Sequence, residues 1–373
     1  MNYIIKNVKI LGYNQEMFVY TKNGIIEKIS TDSDSSPENY IEIDGKNKYL
    51  FPGFIDFHTH LFKDGSEFGI EADRLFDSGI VCAVDMGTAG HIAYPSFHKC
   101  NIATQKMEIK TFINVSPVGQ LGAGINEPLD SKLLDENKIK KMLETYNEIV
   151  GVKLRLSKSI VKELGEKPLI QSLEIAEKLN LPLCVHTTDP PISFGRIASL
   201  MRRGDIITHI YQNKGKNLFQ DDKNVEKDMI EAQKRGVIMD VGNGKFNFDF
   251  NVAKKAIDLG FLPNIISSDT TNNNYHKTKV MWDLPFVMSK FMALGLSLQQ
   301  VVDMVTIAPA KALRLDDRIG KIKEGYEAKL VLCDLLEEEV EFQDAEENIL
   351  KGNRFIKPIK LIYGNEVIEW QSI

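Results

Sequence analysis

The sequence predicts an α/β fold, a (β/α)8 TIM-type barrel joined to a small β-sandwich built from both termini. Three observations predict it. Through the middle of the chain, apolar runs of strand length alternate with amphipathic helical stretches, as in a parallel sheet covered by helices. Eight such runs can be counted, the number a closed parallel barrel requires. Both ends carry instead short alternating runs punctuated by Asn-Gly and Asp-Gly turns. With 373 residues, 43% apolar and 26% charged, there is ample core material. A barrel of about 250 residues leaves room for one smaller domain.

Taken in order, residues 1–50 hold short strands at 3–10, 17–20, 25–29 and 40–43, with Asn23-Gly24 and Asp44-Gly45 suited to tight hairpins. The polar stretch 31–38 reads as a solvated loop. Residues 51–315 form the barrel, with strands expected at 50–57, 80–86, 109–115, 151–156, 181–186, 205–209, 237–241 and 263–267. Amphipathic stretches such as 131–149, 167–179 and 225–235 fall between them; the last has Val225, Met229 and Ala232 at helical spacing. An open doubly wound sheet would place a Gly-rich phosphate turn after its first strand. Here that strand runs into His58-Thr59-His60. Residues 316–373 return to the β texture, near Gly320 and at 329–334, 339–342, 359–363 and 367–370, with a turn at Gly364-Asn365. Neither end can close a core alone, so the two are expected to build one β-domain together.

The charge balance, 46 − 52 = −6, and the lack of a long basic run argue against a nucleic-acid partner. No run of about 18 apolar residues exists to span a membrane. The first residues alternate polar and apolar, reading as a strand and not a secretion signal. Cys82, Cys100, Cys184 and Cys333 are far apart and lie in or beside apolar segments, with no Cys-x-x-Cys. Reduced, buried thiols in a cytoplasmic protein are expected, not a cysteine-rich zinc site.

The chemistry-bearing residues stand where strands stop. His58 and His60 are two apart, so both imidazoles leave one face of a strand and can bind one metal ion together. Asp56 shares their parity and is a candidate acceptor for a ligating imidazole. Lys153 lies inside an apolar strand, where an unpaired ammonium would be costly. Addition of CO₂ would turn it into a carbamate able to bridge two cations. His186, His209 and Asp269 each close an apolar run. Any one of these could be structural, but the carboxyl ends of parallel barrel strands converge on one mouth. Together they read as the metal centre of a hydrolase. Arg155 follows Lys153 on the same face, and its planar fork suits a substrate carboxylate or an acidic wall residue. Tyr211 and His276, in the loop after Asp269, are further pocket candidates. His91 and His98 are taken as bystanders.

These residues resemble the amidohydrolase superfamily in its binuclear, lysine-carbamate branch. The resemblance covers nearly the whole chain. It rests on Pro52-Gly-Phe-Ile-Asp-Phe-His-Thr-His60, the Lys153-x-Arg155 strand, the two single histidines, Ser267-Ser-Asp269, and Gly320-x-Ile-x-x-Gly325-x-x-Ala328-x-Leu330. Asp85-Met-Gly-Thr-Ala-Gly90, Asp240-Val-Gly-Asn-Gly244 and Asp283-Leu-Pro-x-x-Met-Ser-Lys290 point within it to the dihydroorotase-like group called amidohydrolase/deacetylase metallohydrolases.

The resemblance implies two divalent ions, zinc first by ligand type. His58, His60 and Asp269 would hold the more buried ion, His186 and His209 the more exposed one, with carbamylated Lys153 bridging. It further implies hydroxide attack on a carbonyl, with Asp269 as general base. The substrate would be a small molecule, and a homo-oligomer is plausible by analogy alone. Acyclic amide or ester cleavage, removal of an acyl group from a carboxylate-bearing metabolite, is the first expectation. Cyclic amide opening of the dihydroorotase or hydantoinase kind is the near alternative; Phe62, standing where dihydroorotase-like enzymes place an arginine for the substrate carboxylate, weakens a pyrimidine role. Nucleobase deaminases of the superfamily use one ion and lack the lysine. A non-catalytic scaffold would have lost ligands that this chain keeps. In the Gly-x-Gly turn, where relatives carry His, this chain has Asn243, a candidate substrate contact.

Overall fold

The computed structural model describes residues 1–32, 39–219, 221 and 223–369. Most of the expected loop 31–38, and Trp370 at the end of the expected strand 367–370, lie outside them.

The chain opens with β1 (Tyr3–Lys9), β2 (Met17–Lys22), β3 (Ile25–Ser30) and β4 (Ile41–Pro52). Asn23 and Gly24 both take positive φ, the geometry of the two-residue hairpin their sequence predicts. Asp44-Gly45 does not make a hairpin. It lies within β4, which runs parallel to β1 with a register shift opposite Lys6–Val8. The Asp44 carboxylate accepts from Asn7 Nδ2 at 3.0 Å and from the Lys46 amide at 3.0 Å. Those local bonds stabilise a bulge instead of a reversal.

The barrel follows with β5 (Phe54–Thr59), β6 (Ile80–Gly90), β7 (Glu108–Asn114), β8 (Ile149–Arg155), β9 (Leu183–His186), β10 (Ile206–Thr208) and β11 (Ile238–Asp240). All pair in parallel, in the order β11-β10-β9-β8-β7-β6-β5. Every residue of β6 is buried, as expected of a strand covered on both faces. The first barrel strand is shorter than the expected 50–57, because residues up to Pro52 belong to β4 in the terminal sheet. The expected eighth strand, 263–267, is not a regular strand. It closes the barrel through isolated bridges, Asp240 with Ile265 and Thr59 with Thr270. Its amides and carbonyls still pair on both sides. Asn243 N donates to Ser267 O at 3.0 Å, and His60 N to Thr270 O at 2.9 Å.

Helices Glu136–Thr145, Lys167–Lys178, Lys227–Arg235 and Phe250–Asp258 cover the barrel. Asp135 and Asp249 cap two of them by accepting a first-turn amide. The helix Leu284–Ala293, capped by Asp283, is buried along nearly its whole length. The C-terminal strands cover it, and Ser289 Oγ accepts from the Ile356 amide at 2.9 Å.

The chain ends in β12 (Lys329–Leu336), β13 (Val340–Gln343), β14 (Ile349–Gly352), β15 (Phe355–Tyr363) and β16 (Glu366–Glu369). Both termini do build one unit. Its strands form a single sheet, β16-β15-β12-β4-β1-β2-β3, with β13 and β14 as a separate hairpin. The sheet curls until β3 meets the segment before β12, Ile26 N donating to Tyr326 O at 2.8 Å and Ala328 N to Gly24 O at 2.7 Å. Ile5, Val19, Ile26, Leu50, Leu330 and Ile362 fill the core so enclosed.

Candidate metal centre

Parallel register sets out one wall of the barrel mouth. Arg155 is level with His186, His186 with Thr208, and Thr208 with Asp240, across β8 to β11. His58 and His60 rise at the end of β5, and Asp269 approaches from the irregular closing segment. Donor atoms of His58, His209 and Asp269 lie within 4.8 Å of one another. His60 Nε2 stands 3.3 Å and His58 Nε2 3.5 Å from Asp269 Oδ1. The His186 ring centroid is 4.3 Å from that of His209, which is 5.0 Å from that of His58. Lys153 is fully buried, and among the described residues its Nζ has one polar contact, the weak acceptor Cys184 Sγ at 3.6 Å. It lowers the proton affinity of His58, His186 and His209, so all six expected positions share one electrostatic neighbourhood.

Two backbone devices make that approach feasible. Gly87 has positive φ, and a Cβ there would lie 2.5 Å from Lys153 Cβ. In the turn Gly242-Asn243-Gly244 both glycines have positive φ. Added Cβ atoms would come within 2.6 Å of His209 Nδ1 and 2.4 Å of Asp269 Oδ2, respectively.

The Nδ1 atoms of His58, His60 and His209 are all engaged. His209 Nδ1 donates to Gly242 O at 2.7 Å, an acceptor that leaves no choice of tautomer. His60 Nδ1 meets Thr88 Oγ1 at 2.8 Å, and Thr88 donates onward to Asp85 Oδ2 at 2.7 Å. His58 Nδ1 faces Thr208 Oγ1 at 3.1 Å and Asp240 Oδ2 at 3.3 Å. Asp240, then, holds His58 in place of the expected Asp56. Asp56 accepts from Ser268 Oγ, the Ser268 amide and the His58 amide, and burial pushes its carboxyl up to about 7.

With its Nδ1 donating, His58 turns its Nε2 lone pair toward the ionised Asp269 carboxylate, which the Nε2 of His60 also faces. Burial would push Asp269 up, but His58, His60 and His209 together hold it well below the usual carboxylate range. Burial first, then Lys153, keeps His58 neutral; burial pushes His209 down to about 3. Acceptor facing acceptor is unfavourable unless a cation lies between. The donor set therefore fits divalent metal.

The remaining expected residues divide. Arg155 Nη1 donates to both oxygens of Glu127, at 3.2 and 3.3 Å, and its Nε is buried without a partner. Glu127 is itself buried, which pushes its carboxyl up against the pull of Arg155. Tyr211 does not line the mouth. It is fully buried against Phe248 and Phe291, and its hydroxyl donates to Phe261 O at 3.0 Å. Asn243 is also buried, its amide donating to Gly244 O and Val280 O and its oxygen accepting from Lys290. No free atom is left for a substrate. His276 lies on the surface, stacked between Tyr275 and Trp282, its Nε2 3.7 Å from Asp283. A cavity of about 680 Å³, lined by Lys63, Glu67, Ile70, Arg74, Leu121 and Asn272 among others, opens beside the imidazoles and not over them.

Comparison with known proteins points to one family and fold. The family model described as Amidohydrolase family covers residues 49–360. The chain belongs to the amidohydrolase family. It is 28% identical to a protein named deacetylase from Brucella anthropi, over 98% of this chain and 92% of that one. It is 29% identical to another so named from Agrobacterium fabrum, over 89% and 82%. Among solved structures it resembles an adenine deaminase (TM-score 0.90, 25% identity, 98% and 99% covered) and a dihydroorotase (TM-score 0.87, 26% identity, 99% and 97% covered). This amidohydrolase is a metal-dependent hydrolase acting on amide bonds. Among the described residues, no helix is long and apolar enough to cross a membrane.

Thr88, Asp85, Thr208, Asp240 and Glu127 escaped the sequence reading as site residues. Asp85 and Asp240 did open motifs quoted for family resemblance. A carboxylate in an otherwise apolar buried strand, within β6 for Asp85 and at the end of β11 for Asp240, was the signal available.

Proposed function

We propose that this amidohydrolase removes an acyl group, by amide or ester cleavage, from a small metabolite bearing a carboxylate. One observation carries the reading. Arg155, level with His186, commits a single nitrogen to Glu127, and among the described residues the rest of its guanidinium has no partner. A carboxylate is the natural bidentate partner for such an edge. The relatives named deacetylase support acyl removal.

In this reading His58, His60 and Asp269 would hold one divalent ion and His186 and His209 a second, with Lys153, as a carbamate, supplying oxygen ligands to the pair. Zinc is the first candidate. Ions held there would lower the pKa of a shared water toward neutrality and polarise a carbonyl oxygen. Lys153 supports the carbamate because its buried amine lacks a carboxylate partner, a state that carbamylation relieves. Asp269 takes the proton at Oδ1 and returns it to the leaving nitrogen or oxygen, while Asn247 Nδ2 holds Oδ2 at 2.8 Å. Thr88, Asp240 and Gly242 O fix the imidazole orientations. Cys82, Cys184 and Cys333 are free and buried, which supports a reducing, cytoplasmic setting; Cys100, contrary to expectation, is exposed.

Cyclic amide opening is the second reading, favoured by the likeness to the dihydroorotase structure. The test is a screen of the metal-loaded protein, with bicarbonate supplied, against N-acyl amino acids, acyl hydroxy acids and cyclic ureides. Turnover of the acyl compounds is expected; turnover of cyclic compounds alone would replace the first reading by the second.

A further inference from the structure

Lys290 is fully buried in the helix Leu284–Ala293, distant in sequence from every metal-binding position. Its Nζ donates to Val280 O at 2.6 Å, Asn243 Oδ1 at 3.0 Å and Gln343 O at 3.1 Å. It also sits 4.7 Å from the centroid of the Phe248 ring and 5.6 Å from that of Phe250. Three oxygens from three separate segments match the three N–H groups of an ammonium. Buried ammonium is expensive, and a methionine of similar length could fill the same apolar surroundings. What methionine could not do is gather those oxygens.

One of them belongs to the Gly242-Asn243-Gly244 turn. With its oxygen on Lys290, Asn243 Nδ2 clamps the turn through Gly244 O and Val280 O, both at 2.9 Å. The carbonyl before it, Gly242 O, receives His209 Nδ1. The glycine after it packs directly on Asp269. On its other side the turn is tied to the closing segment, Gly242 N donating to Ser267 Oγ at 2.9 Å and the Asn243 and Gly244 amides to Ser267 O and Ser268 O.

We propose that Lys290 is a positioning residue for the metal centre, setting the His209 imidazole and the Asp269 carboxylate through Asn243 and the turn around it. The proposal rests on reading His209 and Asp269 as metal ligands.

The test compares wild type with Lys290→Met, Asn243→Ala, the double variant and His209→Ala. Metal-stripped proteins are titrated with Zn²⁺ against a chromophoric chelator, and thermal midpoint, kcat and KM are recorded separately. Both single variants should bind Zn²⁺ about 10- to 100-fold more weakly, the range for groups that orient ligands. They should lose kcat more than KM, and the double variant should be no worse than the more affected single one. Lys290→Met with a lowered thermal midpoint but unchanged Zn²⁺ affinity and kcat would reduce Lys290 to a packing residue and overturn the proposal. Should Lys290→Met fail to fold, Asn243→Ala decides alone, because it uncouples the lysine from the turn without removing it. Unchanged Zn²⁺ binding in His209→Ala would instead overturn the ligand reading beneath it.

Discussion

Asp240 Oδ2 lies 3.3 Å from His58 Nδ1 and accepts the Thr208 hydroxyl at 2.6 Å, so one buried carboxylate steadies both. Asp240→Asn removes the charge that makes the imidazole a better donor to metal. Zn²⁺ affinity should fall about 10- to 100-fold in an equilibrium titration. An unchanged affinity would show that Thr208 alone orients the ring.

Removing metal should abolish turnover and lower the thermal midpoint, since a ligand that binds only the folded state stabilises it. The contribution is about 2.7 kcal/mol when free metal is 100 times its dissociation constant. Chelator treatment followed by calorimetry, with and without added Zn²⁺, checks both effects. Full activity after exhaustive chelation would end the metal-dependent account of this protein.

Lys153→Met replaces a buried amine by an apolar chain of similar length. The fold should persist, with a thermal midpoint equal to or above that of metal-free wild type, because a costly charge is gone. Elemental analysis should find fewer than two ions per chain, and activity should be lost. Two ions retained at wild-type affinity would exclude the carbamate bridge.

Arg155→Met should raise KM for carboxylate-bearing substrates about 10- to 150-fold, the range for losing a charged hydrogen bond. An ester-capped analogue of the same substrate should be indifferent. It leaves the buried Glu127 without its cation, so Arg155→Met with Glu127→Gln serves as the folded control. Equal losses on charged and uncharged substrates would confine the pair to a structural role.

Burial pushes Lys290 down to about 7, whereas the same side chain in the unfolded chain titrates near 10.5. The unfolded state therefore binds more protons between these limits, and the Lys290 contribution to stability grows as pH rises through that window. Relative to Lys290→Met, the unfolding free energy of wild type should climb from pH 7 toward 10.5 and stay flat below 7. Denaturant titrations across that range measure it, and a flat difference would contradict the direction of the shift.

The positions of the candidate metal-binding residues were legible because an apolar run ending in His or Asp marks a strand reaching a polar mouth. His58, His186 and Asp269 needed only that pattern. What periodicity could not carry was register. Parity alone pointed from His58 to Asp56 on its own strand, whereas pairing across β10 and β11 delivers Asp240. Tyr211 misled for a related reason, since two residues past a strand end the chain has already turned back into the barrel wall. Asn243 was singled out as a substrate contact, but its partner Lys290 lies 47 residues on, a distance no local signal bridges. The closing segment at 263–267 had the composition of a strand, yet Ser267 and Ser268 spend their side chains on Asp240 and Asp56. Asp269, at positive φ, ends any extended run there.

The strand β4 pairs with β1 on one side and with β12 on the other, although β12 begins at Lys329. On a ribosome adding roughly 5–20 residues per second, β4 must wait some tens of seconds for that second neighbour. Throughout that interval Leu50 and Phe51 present an incomplete ladder to whatever nascent chain or chaperone is nearby. Assembly of this enzyme is therefore gated by about its last eighth, and a message truncated before Lys329 would leave the terminal sheet with an open, adhesive seam.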